Sequence, residues 1–432
     1  MNITMLNGNP DPHNFAFEEY LGRLKASLEV RQHQVTLLPL QEMEIRYCIG
    51  CFGCWVKTPG QCFAQDLSSQ VLRSMLHSDF TIWASPLVMG YPSAVLKRLM
   101  DKCIPLIHPY FVVDHNEAHH RARYSHYPRL GLLLARETDT SQEDIRIVTD
   151  MFSRTALNMK SALEFSLLTD QPVEAVVQAI TARKGKKILG QYPSPTRGVQ
   201  LPAPPTRLTI FNGSPRGRKG NTPLLMEHFL KGFTSLEGHS GEIYHLNHLR
   251  DAASFSQAFG EAECAWLGFP LYTDAMPGIV KAFIESLASF QGRRATSDGH
   301  PSNPPLGFLV QSGFPEAAHS RFVERYLEKL AGRLGSPYLG TIVKGGAEGT
   351  RIMPENMTHN LFATLEQLGR TFGETGQLDP VLLSSLAKPE RYPAYMAPVF
   401  KLFARLPVFQ FYWNGQLKKN GAYERRFDQP LA

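Results

Sequence analysis

Short apolar runs alternate with amphipathic stretches along most of this chain. In each half, five such runs have the length and composition of buried strands, and the stretches between them have the period of helices that cover a sheet. We predict strands at residues 2–6, 34–38, 81–85, 130–135 and 164–168, and again at 207–212, 241–246, 264–270, 306–312 and 338–343. Predicted helices in the second half lie at 222–235, 277–289, 320–334 and 356–371. This alternation predicts an α/β fold with parallel sheets covered on both faces.

Two pairs of matching segments indicate an internal repeat. The end of the first strand reads MLNGNP at residues 5–10 and IFNGSP at residues 210–215, which are 205 positions apart. A second landmark, PLVMGYP at 86–92, matches PLYTDAM at 270–276 with an offset of 184 positions. The first copy therefore contains a longer excursion between the landmarks, and four cysteines lie in it. We predict a tandem duplication in which only the first copy carries a cysteine loop.

The chain of 432 residues is long enough for two domains. Prolines between the copies predict a stiff linker at 186–205, which leaves domains at 1–185 and 206–385. Residues 386–432 form an aromatic and basic tail, in which Lys401 and Arg405 interrupt the most apolar stretch and exclude a membrane span. The tail can cover a cofactor edge, pack across a domain interface or touch a membrane surface. Packing against protein is the expected role, because aromatic side chains bury much area.

A glycine-rich loop at 213–222 connects a strand to a helix in the second copy. Backbone N–H groups in such a turn, together with the helix N-terminus, can surround a phosphate. Ser214 and Thr222 add hydroxyl groups. The loop is not a Walker motif, because no Gly-Lys-Ser/Thr triplet closes it. An ordinary capped turn with solvated Arg and Lys is the alternative interpretation.

The second copy resembles the NAD(P)H-dependent FMN reductases of the flavodoxin-like superfamily. The resemblance rests on Gly-Ser-Pro-Arg followed by Gly-Asn-Thr in the first loop, and on Pro-Leu-Tyr at 270–272 before a helix with Lys281. It implies two doubly wound domains with five-stranded parallel sheets in the order 2-1-3-4-5. It also implies FMN as cofactor and NAD(P)H as electron donor. The residues implied at the FMN phosphate are Ser214, Arg216, Asn221 and Thr222. Those implied near the isoalloxazine ring are Pro270, Leu271, Tyr272 and Thr273. A third loop, which contains Ser312 and Gly313, is also implied to contact the flavin.

The first copy departs from this pattern. Its loop at 8–16 lacks the Ser and Thr hydroxyls and contains Asp11, which would repel a phosphate unless it points away. The weaker equivalents of the cofactor residues are Asn9, Pro86, Leu87, Val88, Met89 and Gly90. We expect the second copy to bind FMN. The first copy binds FMN weakly, shares the flavin of its partner domain or binds none.

Four cysteines form a C-x2-C-x2-C-x7-C motif. They are Cys48, Cys51, Cys54 and Cys62. Thiolates at this spacing can surround one cubane, so the motif favours a [4Fe-4S] cluster. Structural zinc, free thiols and a labile disulfide remain open alternatives. The motif also resembles that of the iron–sulfur flavoproteins, which implies a cluster in a loop near FMN.

The composition and charge add little to the predicted fold and sites. A formal charge of +6 is spread along the chain, which argues against nucleic acid as a partner. The first residues enter a strand without a signal-peptide pattern, so we expect a cytoplasmic protein. The predicted function is an NAD(P)H-dependent FMN oxidoreductase that passes electrons, directly or through a cluster, to a small quinone, nitro or azo acceptor. A non-enzymatic, flavodoxin-like electron carrier is the alternative. The two copies are expected to form an intramolecular pseudo-dimer or to belong to a homo-oligomer.

Overall fold

The structure of the chain is a computed structural model. It describes residues 1–114, 117–182, 188, 190–248, 251–291, 303–393, 395 and 410–432. The chain divides into two compact units, one formed by residues 1–191 with 393–432 and the other by residues 192–392. Part of the predicted linker lies outside the described residues. The same is true of most of the apolar stretch that contains Lys401 and Arg405.

The sheet of the first unit has five parallel strands in the order β2-β1-β3-β7-β8, with the short β4 antiparallel to β3. These strands are β1 (Asn2–Asn7), β2 (Gln34–Pro39), β3 (Phe80–Val88), β4 (Tyr91–Pro92), β7 (Arg129–Ala135) and β8 (Leu163–Leu168). A separate two-stranded sheet consists of β5 (Ile107–Asp114) and β6 (Glu117–Ala122). The central strands are buried on both faces, as parallel strands usually are. The predicted α/β fold and strand order are confirmed for this unit.

The first 191 residues of this unit also form α-helices. They are α1 (Phe15–Val30), α2 (Gly53–Val56), α3 (Ser68–Leu76), α4 (Ala94–Met100), α5 (Gln142–Asn158) and α6 (Val173–Thr181). Helix α1 buries Tyr20, Leu24 and Leu28, whose spacing places them on one face. That face packs with α6 against Ile3 and Met5 of β1. On the other face of the sheet, Phe152 of α5 contacts Trp83 of β3.

The second unit repeats this topology. Its parallel strands β9 (Arg207–Asn212), β10 (Ser240–His245), β11 (Cys264–Pro270), β12 (Leu306–Gln311) and β13 (Tyr338–Lys344) have the order β10-β9-β11-β12-β13. The helices are α7 (Asn221–Phe233), α8 (Ala252–Glu261), α9 (Gly278–Gln291), α10 (Ala318–Arg333), α11 (Glu355–Thr375) and α12 (Pro380–Leu386). Ile210 of β9 packs with α7 and α11, whereas the next residue, Phe211, contacts Phe259 of α8 and Phe283 of α9. The sheet is therefore doubly wound, as predicted.

The second sequence landmark corresponds to a buried ion pair in each unit. Lys97 pairs with Asp101 in the first unit, and Lys281 pairs with Glu285 in the second. Both lysine side chains are fully buried at matching positions of α4 and α9. The repeat in the sequence is thus also a repeat of tertiary structure.

The first unit also contains a helix from the far end of the sequence, α13 (Phe411–Lys419). Residues 410–432 are called the C-terminal segment below. No helix within the described ranges is both long enough and apolar enough to cross a membrane.

Candidate functional site

The loop between β9 and α7 of the second unit is folded around the side chain of Asn212. The Asn212 Oδ1 atom accepts a hydrogen bond from the Ser214 backbone N at 3.1 Å, and its Nδ2 donates to the Gly217 carbonyl at 3.3 Å. Its Nδ2 also lies 2.8 Å from Nδ1 of His245 at the end of β10. Gly217 has φ of +56°, which favours glycine at this position. These contacts fix the path of the loop before any ligand binds.

Helix α7 begins directly after this loop without a capping side chain. Its N-cap residue is Gly220, and no side chain accepts a hydrogen bond from the first turn. A Cβ atom on Gly220 would lie 2.2 Å from the Ser214 Oγ atom, so only glycine allows the loop to approach so closely. Ser214, Asn221 and Thr222 are all buried at this position. The free N–H groups and the helix dipole make this end of α7 suitable for an anion.

A second wall of the site is formed by the loop that follows β13. The Asn221 Nδ2 atom donates to the Ala347 carbonyl at 2.8 Å. The Arg351 guanidinium donates to the carbonyls of Gly220 at 2.7 Å and Arg218 at 2.9 Å. Arg351 was not predicted. The general rule that ligands bind beyond the carboxyl ends of parallel strands could have pointed to it.

Arg216, which lies in the loop between β9 and α7, forms an ion pair with Glu348. Their closest atoms, Arg216 Nη1 and Glu348 Oε1, are 3.5 Å apart, and both side chains are partly exposed. Burial raises the pKa of Glu348 above its ordinary value, and the nearby Arg216 opposes this shift. Glu348 was also not predicted. The Arg216 guanidinium offsets the negative charge that the Glu348 carboxylate brings to this edge of the sheet.

The remaining predicted residues of the second unit lie on two loops at the same edge of the sheet. After β11, the Leu271 backbone N donates to the Gln311 carbonyl at 2.7 Å, and Tyr272 exchanges backbone hydrogen bonds with Ala275. Thr273 has φ of +45°, a left-handed conformation that is uncommon for a β-branched residue. After β12, the Ser312 carbonyl accepts a hydrogen bond from the Ala347 backbone N at 2.8 Å. The loops after β9, β11, β12 and β13 thus bring together the following predicted residues: Ser214, Arg216, Asn221, Thr222, Pro270, Leu271, Tyr272, Thr273, Ser312 and Gly313.

In the first unit, carboxylates occupy the corresponding loops. Asn9, the counterpart of Ser214, donates through Nδ2 to Glu18 Oε1 at 2.6 Å, and Glu18 lies in the first turn of α1. In the second landmark, the backbone N atoms of Met89 and Gly90 donate to the two carboxylate oxygens of Glu137 at 2.7 and 2.8 Å. The loop containing Pro86, Leu87 and Val88 therefore already has an internal anionic partner.

The four predicted metal ligands lie in residues 48–62, called the cysteine loop below. All four thiols are free, and Cys51 is the exposed one. Burial of its sulfur raises the pKa of Cys48 to about 12. Burial also raises the pKa of Cys54, with further contributions from Cys48, Cys62 and Cys51. The sulfurs are thus close enough to interact electrostatically.

The donor chemistry of this loop fits a metal–sulfur centre. Four thiols from one short loop are the ligand set that iron–sulfur clusters require. In the part of the chain that the structure describes, no three His, Cys, Asp or Glu side chains are grouped in a geometry that would hold a metal ion. The four thiols are therefore not gathered around the position of a single metal ion.

The C-terminal segment packs on the cysteine loop. Trp413 of α13 makes edge-to-face contacts with Phe52 and Trp55, with ring centroids 5.4 and 5.2 Å apart. The Arg425 Nη2 atom donates to the Lys57 carbonyl at 3.3 Å. The three aromatic side chains belong to an apolar cluster that also includes Cys54. The C-terminal segment, which is part of the predicted tail, thus covers the part of the cysteine loop that contains Cys54.

No protein family description matches this chain. An iron–sulfur flavoprotein from Archaeoglobus fulgidus is 26% identical over 102 residues, which are 24% of this chain and 48% of the relative. An iron–sulfur flavoprotein from Methanocaldococcus jannaschii is 32% identical over 106 residues, which are 24% of this chain and 53% of the relative. The chain therefore spans about half the length of the curated relatives it matches.

Solved structures also show similarity to part of the chain. An FMN-dependent NADH-azoreductase from Bacillus anthracis in complex with FMN has a TM-score of 0.30 and 11% sequence identity. The similarity covers 39% of this chain and 99% of that structure.

Proposed function

We propose that this protein is an FMN-dependent oxidoreductase that takes electrons from NAD(P)H and passes them to a small acceptor, such as a quinone, nitro or azo compound. The observation that carries this proposal is the uncapped N-terminus of α7, where Ser214, Asn221 and Thr222 meet around a glycine-rich loop. A phosphate monoester fits this arrangement, because it accepts hydrogen bonds from several N–H and O–H donors at once. The similarity to iron–sulfur flavoproteins supports a flavin as the bearer of that phosphate.

Each residue of the second unit has a distinct part in this proposal. Ser214 and Thr222 donate hydroxyl hydrogen bonds to the phosphate, and Arg216 balances its charge. The loops that contain Tyr272 and Ser312 line the isoalloxazine ring. Bound FMN supplies the hydride and electron chemistry, whereas the protein binds and orients it. Asn212 and Arg351 stabilise the loop between β9 and α7 through the hydrogen bonds described above.

We propose that the chain binds one FMN, in its second unit. Glu18 and Glu137 of the first unit already accept the hydrogen bonds that a phosphate and a ring would need. A phosphate beside Glu18 would also suffer charge repulsion. The first unit instead carries Cys48, Cys51, Cys54 and Cys62, which we propose as the ligands of a [4Fe-4S] cluster.

The FMN content of purified variants tests the cofactor assignment. The double variant Ser214→Ala/Thr222→Ala removes two charge-assisted hydrogen bonds, each worth about 1.5–3 kcal/mol, so FMN affinity is expected to fall at least about a hundredfold. Asn9→Ala alters the matching position in the first unit and is expected to leave the FMN content unchanged. Equal FMN retention in all three proteins would refute the assignment to the second unit.

Steady-state kinetics tests the activity itself. The FMN-loaded protein is expected to oxidise NADH or NADPH rapidly when a quinone is present. Reduction of the flavin only through an added reductase would instead support the electron-carrier alternative.

A further inference from the structure

Lys102 lies in contact with one of the four cysteines. Its Nζ atom is 3.4 Å from the Cys62 Sγ atom and 2.9 Å from Asp66 Oδ2. The side chains of Lys102 and Asp66 are both buried. Asp66 is itself held by hydrogen bonds from the backbone N atoms of Ser68 and Arg46, each at 3.0 Å. The ammonium group therefore has a fixed position facing the sulfur.

Arg123 is a second buried cation beside the cysteine loop, with 3% of its surface exposed. Its Nε donates to the Pro105 carbonyl at 3.0 Å, and its Nη1 donates to the carbonyls of Arg426 and Asp428 at 3.1 and 2.9 Å. Its Nη2 is buried and makes no hydrogen bond to any described residue. Burial lowers the pKa of Arg123, and Cys54 is among the groups that oppose this shift. The C-terminal segment thus holds this guanidinium by two of its hydrogen bonds.

Burying these two cations next to four neutral thiols is unfavourable in free energy. Burying a charge is unfavourable unless an opposite charge or hydrogen bonds compensate it. Asp66 compensates Lys102, but the hydrogen-bond partners found for Arg123 are neutral carbonyls, and one donor remains unused. A centre ligated by four thiolates is anionic and presents sulfurs that accept hydrogen bonds. Such an occupant would satisfy the spare donor and balance the charge.

We propose that Lys102 and Arg123 are positioning residues that compensate the charge of a metal–sulfur centre held by Cys48, Cys51, Cys54 and Cys62. This inference rests on the proposed role of the four cysteines. Hydrogen bonds and positive charges next to the sulfurs favour the reduced, more negative state of a cluster. The two cations therefore raise its midpoint potential, and Arg123 links this effect to the docked C-terminal segment.

Redox titration of the anaerobically reconstituted full-length protein tests this inference. Lys102→Met and Arg123→Gln are each expected to lower the midpoint potential, shifting the ratio of reduced to oxidised centre about tenfold at a fixed potential, or about 59 mV for a one-electron couple. Lys102→Arg keeps the charge and is expected to restore most of the potential. Arg129→Gln is the control, because it removes a cation of β7 that pairs with Glu164 of β8, the edge strand on the opposite side of the sheet from β2.

Iron and acid-labile sulfide counts separate the possible failures. Unchanged potentials in Lys102→Met and Arg123→Gln, with full iron and sulfide content, would overturn this inference and leave the cluster in place. A wild-type protein that binds no iron would overturn both the inference and the cysteine assignment, whereas its FMN content would still report on the second unit. If Arg123→Gln releases the C-terminal segment, Lys102→Met still decides the question.

Discussion

Trp413 provides a direct test of how the C-terminal segment is attached to the first unit. The indole packs edge-to-face against Phe52 and Trp55 of the cysteine loop. Trp55 is itself anchored, since its Nε1 atom donates to the carbonyls of Ile104 and Ile107 at 3.1 and 3.0 Å. Trp413→Ala would remove these aromatic contacts of α13 and leave its partners in place.

The size of the effect follows from the area and geometry of the contact. Trp413 is half-buried, so truncation exposes about 100 Å² of apolar surface, worth about 2.5 kcal/mol. Loss of two aromatic pairs adds about 1 kcal/mol or more. We therefore expect docking of the C-terminal segment to weaken by about 3–4 kcal/mol. This corresponds to at least about a hundredfold increase in the population of the undocked state.

Amide hydrogen exchange measures this population directly. In Trp413→Ala, the amides of α13 are expected to exchange at least about a hundredfold faster, while those of β1 and β3 keep their protection. Phe411→Ala is the matched control, because Phe411 lies in the same helix but is 77% exposed. Equal exchange rates in both variants would show that the indole contributes nothing to docking.

Three further predictions concern pH and the loop between β9 and α7. Burial lowers the pKa of His108 from 6.5 to about 3, so stability is complete above about pH 6.5 and falls as the pH decreases toward 3. We expect a loss of about 2 kcal/mol at pH 5, measured by denaturant unfolding, and a flatter pH profile in His108→Phe. Burial raises the pKa of Glu348, so its ionisation destabilises the fold as the pH rises past its ordinary value. Glu348→Gln should therefore raise the melting temperature at pH 7 but not at pH 4, and a melting temperature equally unchanged at both would contradict this. Gly220→Ala should lower FMN content because the new Cβ collides with Ser214, whereas Gly332→Ala, which meets no atom within 4 Å, should not.

The sheets could be predicted from the sequence because buried parallel strands are continuous apolar runs. Residues 264–270, for example, are buried throughout, and no polar alternation obscures the strand. The position of the loop between β9 and α7 could also be predicted, because its glycines and hydroxyl residues follow such a strand directly. Local sequence thus sufficed wherever the structure is determined by neighbours along the chain.

Other features depend on partners that are distant in the sequence. The strands β5 and β6 were not predicted, because β6 contains Glu117 and His119, which are polar but buried. Glu117 is compensated by Arg154 of α5, 37 positions away. Glu137 is likewise indistinguishable from an ordinary loop residue in the sequence. Its role depends on the hydrogen bonds that it accepts from the backbone of Met89 and Gly90.

The return of the C-terminal segment to the first unit has a consequence for biosynthesis. Residues 410–432 leave the ribosome only after residues 192–392 have been translated, which takes on the order of ten seconds or more at about 5–20 residues per second. During that interval the cysteine loop lacks the contacts that Trp413 and Arg425 make with it. Cys54, which shares an apolar cluster with Trp413, is therefore less covered in a nascent first unit than in the protein after residues 410–432 have been added.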